Sequence, residues 1–202
     1  MSVAPGQGRR ERNKAAKLER IVAAAGELFA EHGVDEVTTQ QVADKADIGT
    51  GTLFLYARSK GELLLMVQNA HYAQALERGR EAARALPDTA GTVEAVMAVV
   101  EPVVECNRVQ VENGRTYLRE MAFGDSTEPH HAQALLIAAQ TETAIAEVLT
   151  RDGSLGVDTA ATLAHVVTAV MFLAMATDAG TTWSVEEIAA HIRSQLVLVL
   201  PR

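Results

Sequence analysis

A lone cysteine, Cys106, among 202 residues leaves the chain unable to close an internal disulfide, so the fold must hold by packing, as is usual in the reducing cytoplasm. Aromatic residues are scarce, at 4%, while alanine is abundant, and runs such as Ala132 to Leu149 carry neither glycine nor proline. That pattern favours helices over strands, and the expected class is all-α. No apolar core follows the basic N-terminal residues, so no signal peptide is read. The most apolar stretch, Ala160 to Ala176, contains His165 and is bordered by Asp158 and Asp178, which fits a buried helix better than a membrane span. No membrane partner is expected. Spaced Cys, His and carboxylate sets are missing too: Cys106 stands alone, and the adjacent His130 and His131 project in different directions on a helix. With no glycine-rich phosphate loop and no nucleophile elbow, the sequence points away from an enzyme and calls for no metal and no cofactor.

What is present is a hydrophobic content of 48%, enough for a substantial core, and a net charge of −8 that is unevenly spread. Residues 1–20 hold Arg9, Arg10, Arg12, Lys14, Lys17 and Arg20 against Glu11 and Glu19, a local charge of +4, so the remaining chain carries −12. A basic end on an acidic body can meet phosphates despite the overall sign.

Leu18, Ile21, Val22, Ala25, Leu28 and Phe29 recur at helical spacing, with Gly33 as C-terminal cap. Thr38 to Gln41 reads as a capping box opening a short helix to about Ala46; after a turn at Asp47 and Ile48, a third helix begins near Gly49 or Thr50 and runs to about Ala57. Two short helices around a tight turn describe a helix-turn-helix. Ser59 to Glu62 repeats the capping-box pattern before a long helix from Lys60 to about Leu86, stopped by Pro87 and Asp88. A fifth helix is expected over roughly Thr92 to Glu112, with Pro102 as a kink and Val93, Met97, Val100, Val104 and Val111 on its inner stripe. Gly114 reads as a break before a shorter helix with Tyr117 and Met121. Helices over about His131–Leu149, Asp158–Asp178 and Val185–Leu200 bring the expected count to nine, with Arg151-Asp152-Gly153 closing the first of these three.

The segment from Thr38 to Lys60, with Gly51-Thr52-Leu53 and Ser59-Lys60 in register, closely resembles the DNA-binding signature of the TetR family of ligand-responsive regulators. With the preceding helix, the resemblance covers about residues 17–64; the rest of the chain is similar only in helix number and order. It implies a basic flexible arm over 1–16, a DNA-binding domain over 17–62 and a helical ligand-binding and dimerisation domain over 63–202. It further implies a repressor released from its operator by a small molecule.

The chemistry of the motif is legible beside the resemblance. A helix entering the major groove must present short polar side chains and free N–H groups at its N-terminal end, and Gly49, Thr50, Gly51 and Thr52 do so. Gly51 costs its helix about 1 kcal/mol relative to alanine. That cost makes sense where DNA must approach closely, or else the glycine marks a loose turn. The resemblance assigns phosphate contacts to Thr38, Thr39 and Lys60, and recognition-helix positions to Thr50, Thr52, Phe54 and Tyr56; Gln40 joins this DNA-binding set. Val42, Ala43, Ala46, Ile48 and Leu53 are the expected core. Two departures stand out. Phe54 lacks the hydroxyl of the family's usual tyrosine, and Ala57 replaces a larger aromatic, leaving Phe29 or Leu55 to fill the space. Arg9, Arg10 and Arg12 would either enter the minor groove or attract DNA without specificity.

Behind the motif the resemblance implies a pocket among helices 4–8 for a small, largely apolar effector, and a homodimer built on helices 8 and 9 that meets a palindromic operator in double-stranded DNA. The apolar run of helix 8 and the stripe Ile188, Ile192, Leu196 and Val199 on helix 9 support a dimer independently. Asn107, Tyr117, Met121, Phe123 and His165 are the candidate ligand contacts, with satisfied core or interface groups as the alternative reading.

Overall fold

The computed structural model describes residues 7–87, 89–151, 153–177 and 182–201, with side chains from Glu11 onward. Parts of the expected arm lie outside these, as do the side chains of Arg9 and Arg10, the residues Asp88 and Asp152 of two expected turns, and the expected helix end at Asp178.

The described residues form nine helices and no strand. α1 (Gln7–His32), α2 (Thr39–Lys45) and α3 (Thr50–Leu53) make the N-terminal unit; α4 (Lys60–Ala85) leads into α5 (Thr92–Arg108), α6 (Val111–Phe123), α7 (Pro129–Leu149), α8 (Val157–Ala176) and α9 (Val185–Val199). The basic segment expected to be flexible is helical from Gln7, so Arg12, Lys14 and Lys17 project from α1 as exposed side chains. Gly33 caps α1 at φ 78°, and its N–H reaches the Phe29 carbonyl at 3.0 Å. The Thr38 capping box forms with both its bonds. Asp47 takes φ 53° in the turn before α3, a left-handed geometry that Asp tolerates better than most residues. Val42, Ala43, Ala46 and Leu53 are buried, with Ile21, Ala25 and Phe29 of α1 packed over them and Ile48 partly covered. Ala57 is buried beside this core, but Leu55 is 83% exposed and does not fill the space; buried Phe29 belongs to the same core.

α4 is the shared wall, packed against α1, α5, α6 and α7. Its Ser59 cap forms only half of the expected box. The Ser59 hydroxyl accepts from the Glu62 N–H, whereas the Glu62 carboxylate turns away to accept from the His130 N–H at the start of α7, 2.8 Å. Burial raises the Glu62 carboxyl above its ordinary value, and the His130 bond pulls the other way.

The break between α5 and α6 falls at Val109 and Gln110, not at Gly114. Gln110 caps α6 by accepting from the Asn113 N–H at 2.8 Å, and Gly114 lies inside that helix. A Cβ at Gly114 would strike the Asn107 carbonyl oxygen, so glycine is required by close helix approach rather than by a turn.

The stripe Ile188, Ile192 and Leu196 is fully buried within the single chain, where α9 packs on α5 and α8. It therefore serves the core and is not free to meet a second copy, whereas other residues of α8 and α9 face outward. On α9 these include His191, Ser194 and Leu198; on α8 they include Thr162, His165, Ala169 and Leu173, with Leu198 at 84% and Leu173 at 61% exposure. α8 is long and apolar enough to cross a membrane by length and composition, yet only a third of its apolar window is buried in this chain.

Candidate DNA-binding surface and ligand cavity

At the N-terminal unit, the short helices present a polar, partly exposed edge. Thr38 is exposed and Thr39 half-buried at the start of α2; Thr50 and Thr52 are half-buried on α3, and Phe54 is 43% exposed. The Thr50 hydroxyl donates to Gln40 Oε1 at 2.7 Å, while Gln40 Nε2 donates to Asp44 at 2.7 Å. Gln40 thus ties α3 to α2. Nothing in the chain lies within 4 Å of a Cβ built on Gly49 or Gly51, and neither has positive φ. Neighbours and backbone give no reason for glycine there. Lys60 Nζ donates to the Asp35 carbonyl at 3.0 Å at the start of α4, and the Tyr56 hydroxyl lies 3.5 Å from the Lys14 carbonyl on α1.

Two of the hollows behind this unit are lined by expected ligand contacts on α6. An apolar cavity of about 50 Å³ is lined by Tyr72 of α4, Tyr117 and Met121 of α6, Ile137 and Ala138 of α7, and Met171, Phe172 and Met175 of α8, among others. A wider cleft of about 590 Å³ includes Arg115, Arg119 and Phe123 of α6, with Phe172 and Ala176 of α8. Phe172 lines both. Tyr72 and Tyr117 stack at 4.1 Å with planes 16° apart, and each hydroxyl is bonded: Tyr117 donates to Asn69 Oδ1 at 2.9 Å, and Tyr72 accepts from Asn107 Nδ2 at 2.8 Å. Burial drives both phenols well above their ordinary value, so they act here as neutral hydroxyls.

Of the expected ligand contacts, Tyr117 and Met121 line the inner cavity, Phe123 stands 84% exposed in the cleft, and Asn107 is buried one bond behind Tyr72. His165 does not join them. It faces outward from α8 and pairs with Glu142 at 2.9 Å, because α8 is covered on one side only. Tyr72, Ile137, Met171, Phe172 and Met175 were not singled out from sequence, although Met171 and Met175 lie one helical turn apart on an apolar run. The Cys106 thiol is raised to about 11, chiefly by burial, which disfavours the nucleophilic thiolate.

Besides α4, two helices that wall the cavity are bonded to the N-terminal unit. Asn113 of α6 accepts from the Val34 N–H at 2.7 Å and donates to the Phe29 carbonyl at 2.8 Å, bridging the end of α1. At the start of α7, Glu62 bonds the His130 N–H, and Arg58 pairs with Glu128 at 3.3 Å. Both α6 and α7 also wall the cavity.

A helix-turn-helix joined in this way to an apolar hollow defines a class, the DNA-binding regulators with a helical sensor domain. Residues 21–67 match the family described as "Bacterial regulatory proteins, tetR family". The transcriptional activator FasR of Mycolicibacterium smegmatis is 27% identical over 159 residues, 75% of this chain and 68% of that protein. The fatty acid metabolism regulator protein of Bacillus subtilis is 30% identical over 70 residues, 35% of this chain and 36% of that protein. Among solved structures, the Thermus thermophilus repressor FadR in complex with lauroyl-CoA superposes with a TM-score of 0.63 at 24% identity, covering 92% of this chain and 96% of that one, a likeness of fold. Residues 21–67 thus carry a tetR-family DNA-binding domain, and the chain as a whole shares the fold of that family's solved regulators.

Proposed function

We propose that the chain is a repressor that binds a palindromic operator as a homodimer in the cytoplasm and is released by a long-chain acyl ligand, with a fatty acyl-CoA as the first candidate. The observation that carries the ligand class is the cavity wall, almost wholly apolar and built from α4, α5, α6, α7 and α8, beside a polar cleft that holds Arg115 and Arg119 together with Asp35 and Glu112. An acyl chain matches such a wall, and a polar head matches the cleft. Relatives whose names concern fatty acids or acyl-CoA support the same choice. A cavity of about 50 Å³ is far below the usual ligand pocket of roughly 300–1,000 Å³, so entry must spread α6 from α7 and α8. In this reading residues 17–62 are the DNA-binding domain and 63–202 the sensor and dimerisation domain. The test is a gel shift on DNA from upstream of the protein's own gene, repeated with lauroyl-CoA. Release at micromolar ligand supports the reading; operator binding indifferent to acyl-CoAs of every chain length would defeat it.

Within the DNA-binding surface, Thr38, Thr39 and Lys60 hold phosphates, Thr50 and Thr52 meet bases, and Gln40, Gly49, Gly51, Phe54 and Tyr56 shape the contact. Lys60→Ala is expected to weaken binding about equally on all sequences and to lower the salt slope by roughly 1 per half-site. Thr50→Ala and Thr52→Ala should instead relax base preference. A salt titration of the Lys60 variant identical to that of the parent protein would remove it from the phosphate contacts.

The dimer rests on the outward faces of α8 and α9. Leu198→Glu, at an 84% exposed position, is expected to yield a folded chain that sediments as a monomer. Leu196→Glu, at a fully buried one, should cost more than about 4 kcal/mol because it places an unpaired charge in the core. A Leu198 variant that remains dimeric at low micromolar concentration would move the interface elsewhere.

A further inference from the structure

Arg108, the last residue of α5, is only 9% exposed, and one of its nitrogens has an acceptor: Nη2 donates to the Met175 carbonyl at 3.1 Å. Nε and Nη1 are buried without a partner. None of the ion pairs found among the described residues includes Arg108; desolvation chiefly lowers its hold on the proton, and the like charge of Arg115 adds to that. A guanidinium nevertheless stays protonated in proteins, so the cation stands in the interior without a counter-charge. Its placement at the C-terminal end of α8 offers a favourable dipole and accounts for one nitrogen. Two nitrogens, Nε and Nη1, remain.

The surroundings say where a counter-charge would come from. Met175, whose carbonyl Arg108 holds, lines the inner cavity, and so does Tyr72, bonded to the adjacent Asn107. Ala176 and Arg115 line the outer cleft, and Phe172, one turn earlier on α8, belongs to both hollows. One residue before Arg108, buried Asn107 also keeps Oδ1 without a donor. Neither Arg108 nor Asn107 lines a hollow itself, so the end of α5 carries unsatisfied donors and an unsatisfied acceptor one layer behind the Met175–Ala176 stretch that lines both.

We propose that Arg108 is the binding residue for an anionic group on the effector, which makes that effector an amphipathic anion: an apolar chain in the inner cavity and a carboxylate or phosphate at its head against the guanidinium. The proposal rests on the cavity being the effector site. The anion has two sources, the carboxylate of a free fatty acid or a phosphate of an acyl-CoA, and three probes separate them: laurate, lauroyl-CoA and the uncharged methyl laurate.

Binding of each probe is measured by calorimetry on the full-length parent protein, Arg108→Met and Arg108→Lys, with circular-dichroism melting of each ligand-free protein. The parent is expected to prefer an anionic probe to the ester by about tenfold or more, the worth of a charge-assisted hydrogen bond. Arg108→Met should melt no lower than the parent, bind the ester as the parent does and lose that preference, while Arg108→Lys keeps most of it. If only the laurate preference falls, the anion is the carboxylate; if only that for lauroyl-CoA falls, it is a phosphate. An unchanged anion-to-ester ratio in Arg108→Met would overturn the role of Arg108 and leave the acyl reading intact. A parent protein that binds none of the three, together with an Arg108→Met chain that melts well below it, would show a structural cap on α8 and remove both.

Discussion

Asn113→Ala is expected to lower the unfolding free energy by about 2–4 kcal/mol, a large loss for one surface-sized amide. The size follows from where the amide is spent. Asn113 is 2% exposed, and its two side-chain atoms serve the Val34 N–H and the Phe29 carbonyl, 79 and 84 residues away in sequence. Phe29 keeps a second bond, from the Gly33 N–H, so the heavier cost is Val34, which is 1% exposed and would retain a buried donor with no acceptor. An orphaned buried group costs about 1–3 kcal/mol, and the vacated space adds to that. Urea unfolding of the two proteins decides the matter: a difference below about 0.5 kcal/mol, typical of an uninvolved surface site, would mean that α6 does not hold the end of α1 in solution.

The same substitution cuts one of the connections between cavity and DNA-binding unit. The long, unbroken α4, packed on α1 and lining the cavity through Tyr72, is one connection. The structure adds α6, hung on α1 by Asn113, and α7, held at its start by Glu62 and Arg58. In the folded fraction, Asn113→Ala should therefore reduce the ligand's effect on operator affinity without removing it.

Signals that act within a few residues were legible in the sequence. The Thr38 box, Gly33 and the helix-turn-helix core each depend on neighbours inside one or two turns, where spacing alone decides the outcome. What sequence could not supply was the partner across space. Gly114 has the composition of a helix break, but the Asn107 backbone is what excludes a side chain there. Glu62 sits at the right offset for a capping box, but a better use for its carboxylate waits on α7. Ile188, Ile192 and Leu196 are an apolar stripe by any count, yet periodicity cannot say whether the chain itself or a second copy covers it; here the chain does. The candidate site divides along the same line. Tyr117 and Met121 lie on the inner face of α6, while His165, on an apolar helix covered on one side, turned outward to Glu142.

The largest functional effect is expected from Ala138→Leu. Ala138 lines the inner cavity from α7, and its methyl borders a space of about 50 Å³. Leucine is a strong helix former, so α7 accepts it, and the added carbons occupy the room that an acyl chain must enter and widen. Overpacking costs typically 1–3 kcal/mol when a core is full, but here part of the added volume is already vacant. The DNA-binding unit makes no part of this wall, so operator affinity should stay within about threefold of the parent, under 1 kcal/mol. Acyl-CoA affinity should fall at least about tenfold, because the energy needed to spread α6 from α7 and α8 rises with every atom already in the gap. Linkage makes the result exacting. If ligand and operator favour different arrangements of one dimer, each must weaken the other's binding by the same factor, ordinarily about 5–150-fold. Lauroyl-CoA affinity is therefore to be measured on the parent protein with and without operator, and operator affinity with and without lauroyl-CoA. The two factors should agree, and at ligand concentrations that release the parent from DNA the Ala138→Leu protein should stay bound. Equal ligand affinity in the presence and absence of operator would show that the cavity does not control DNA binding, and an Ala138→Leu protein released as readily as the parent would place the effector outside it.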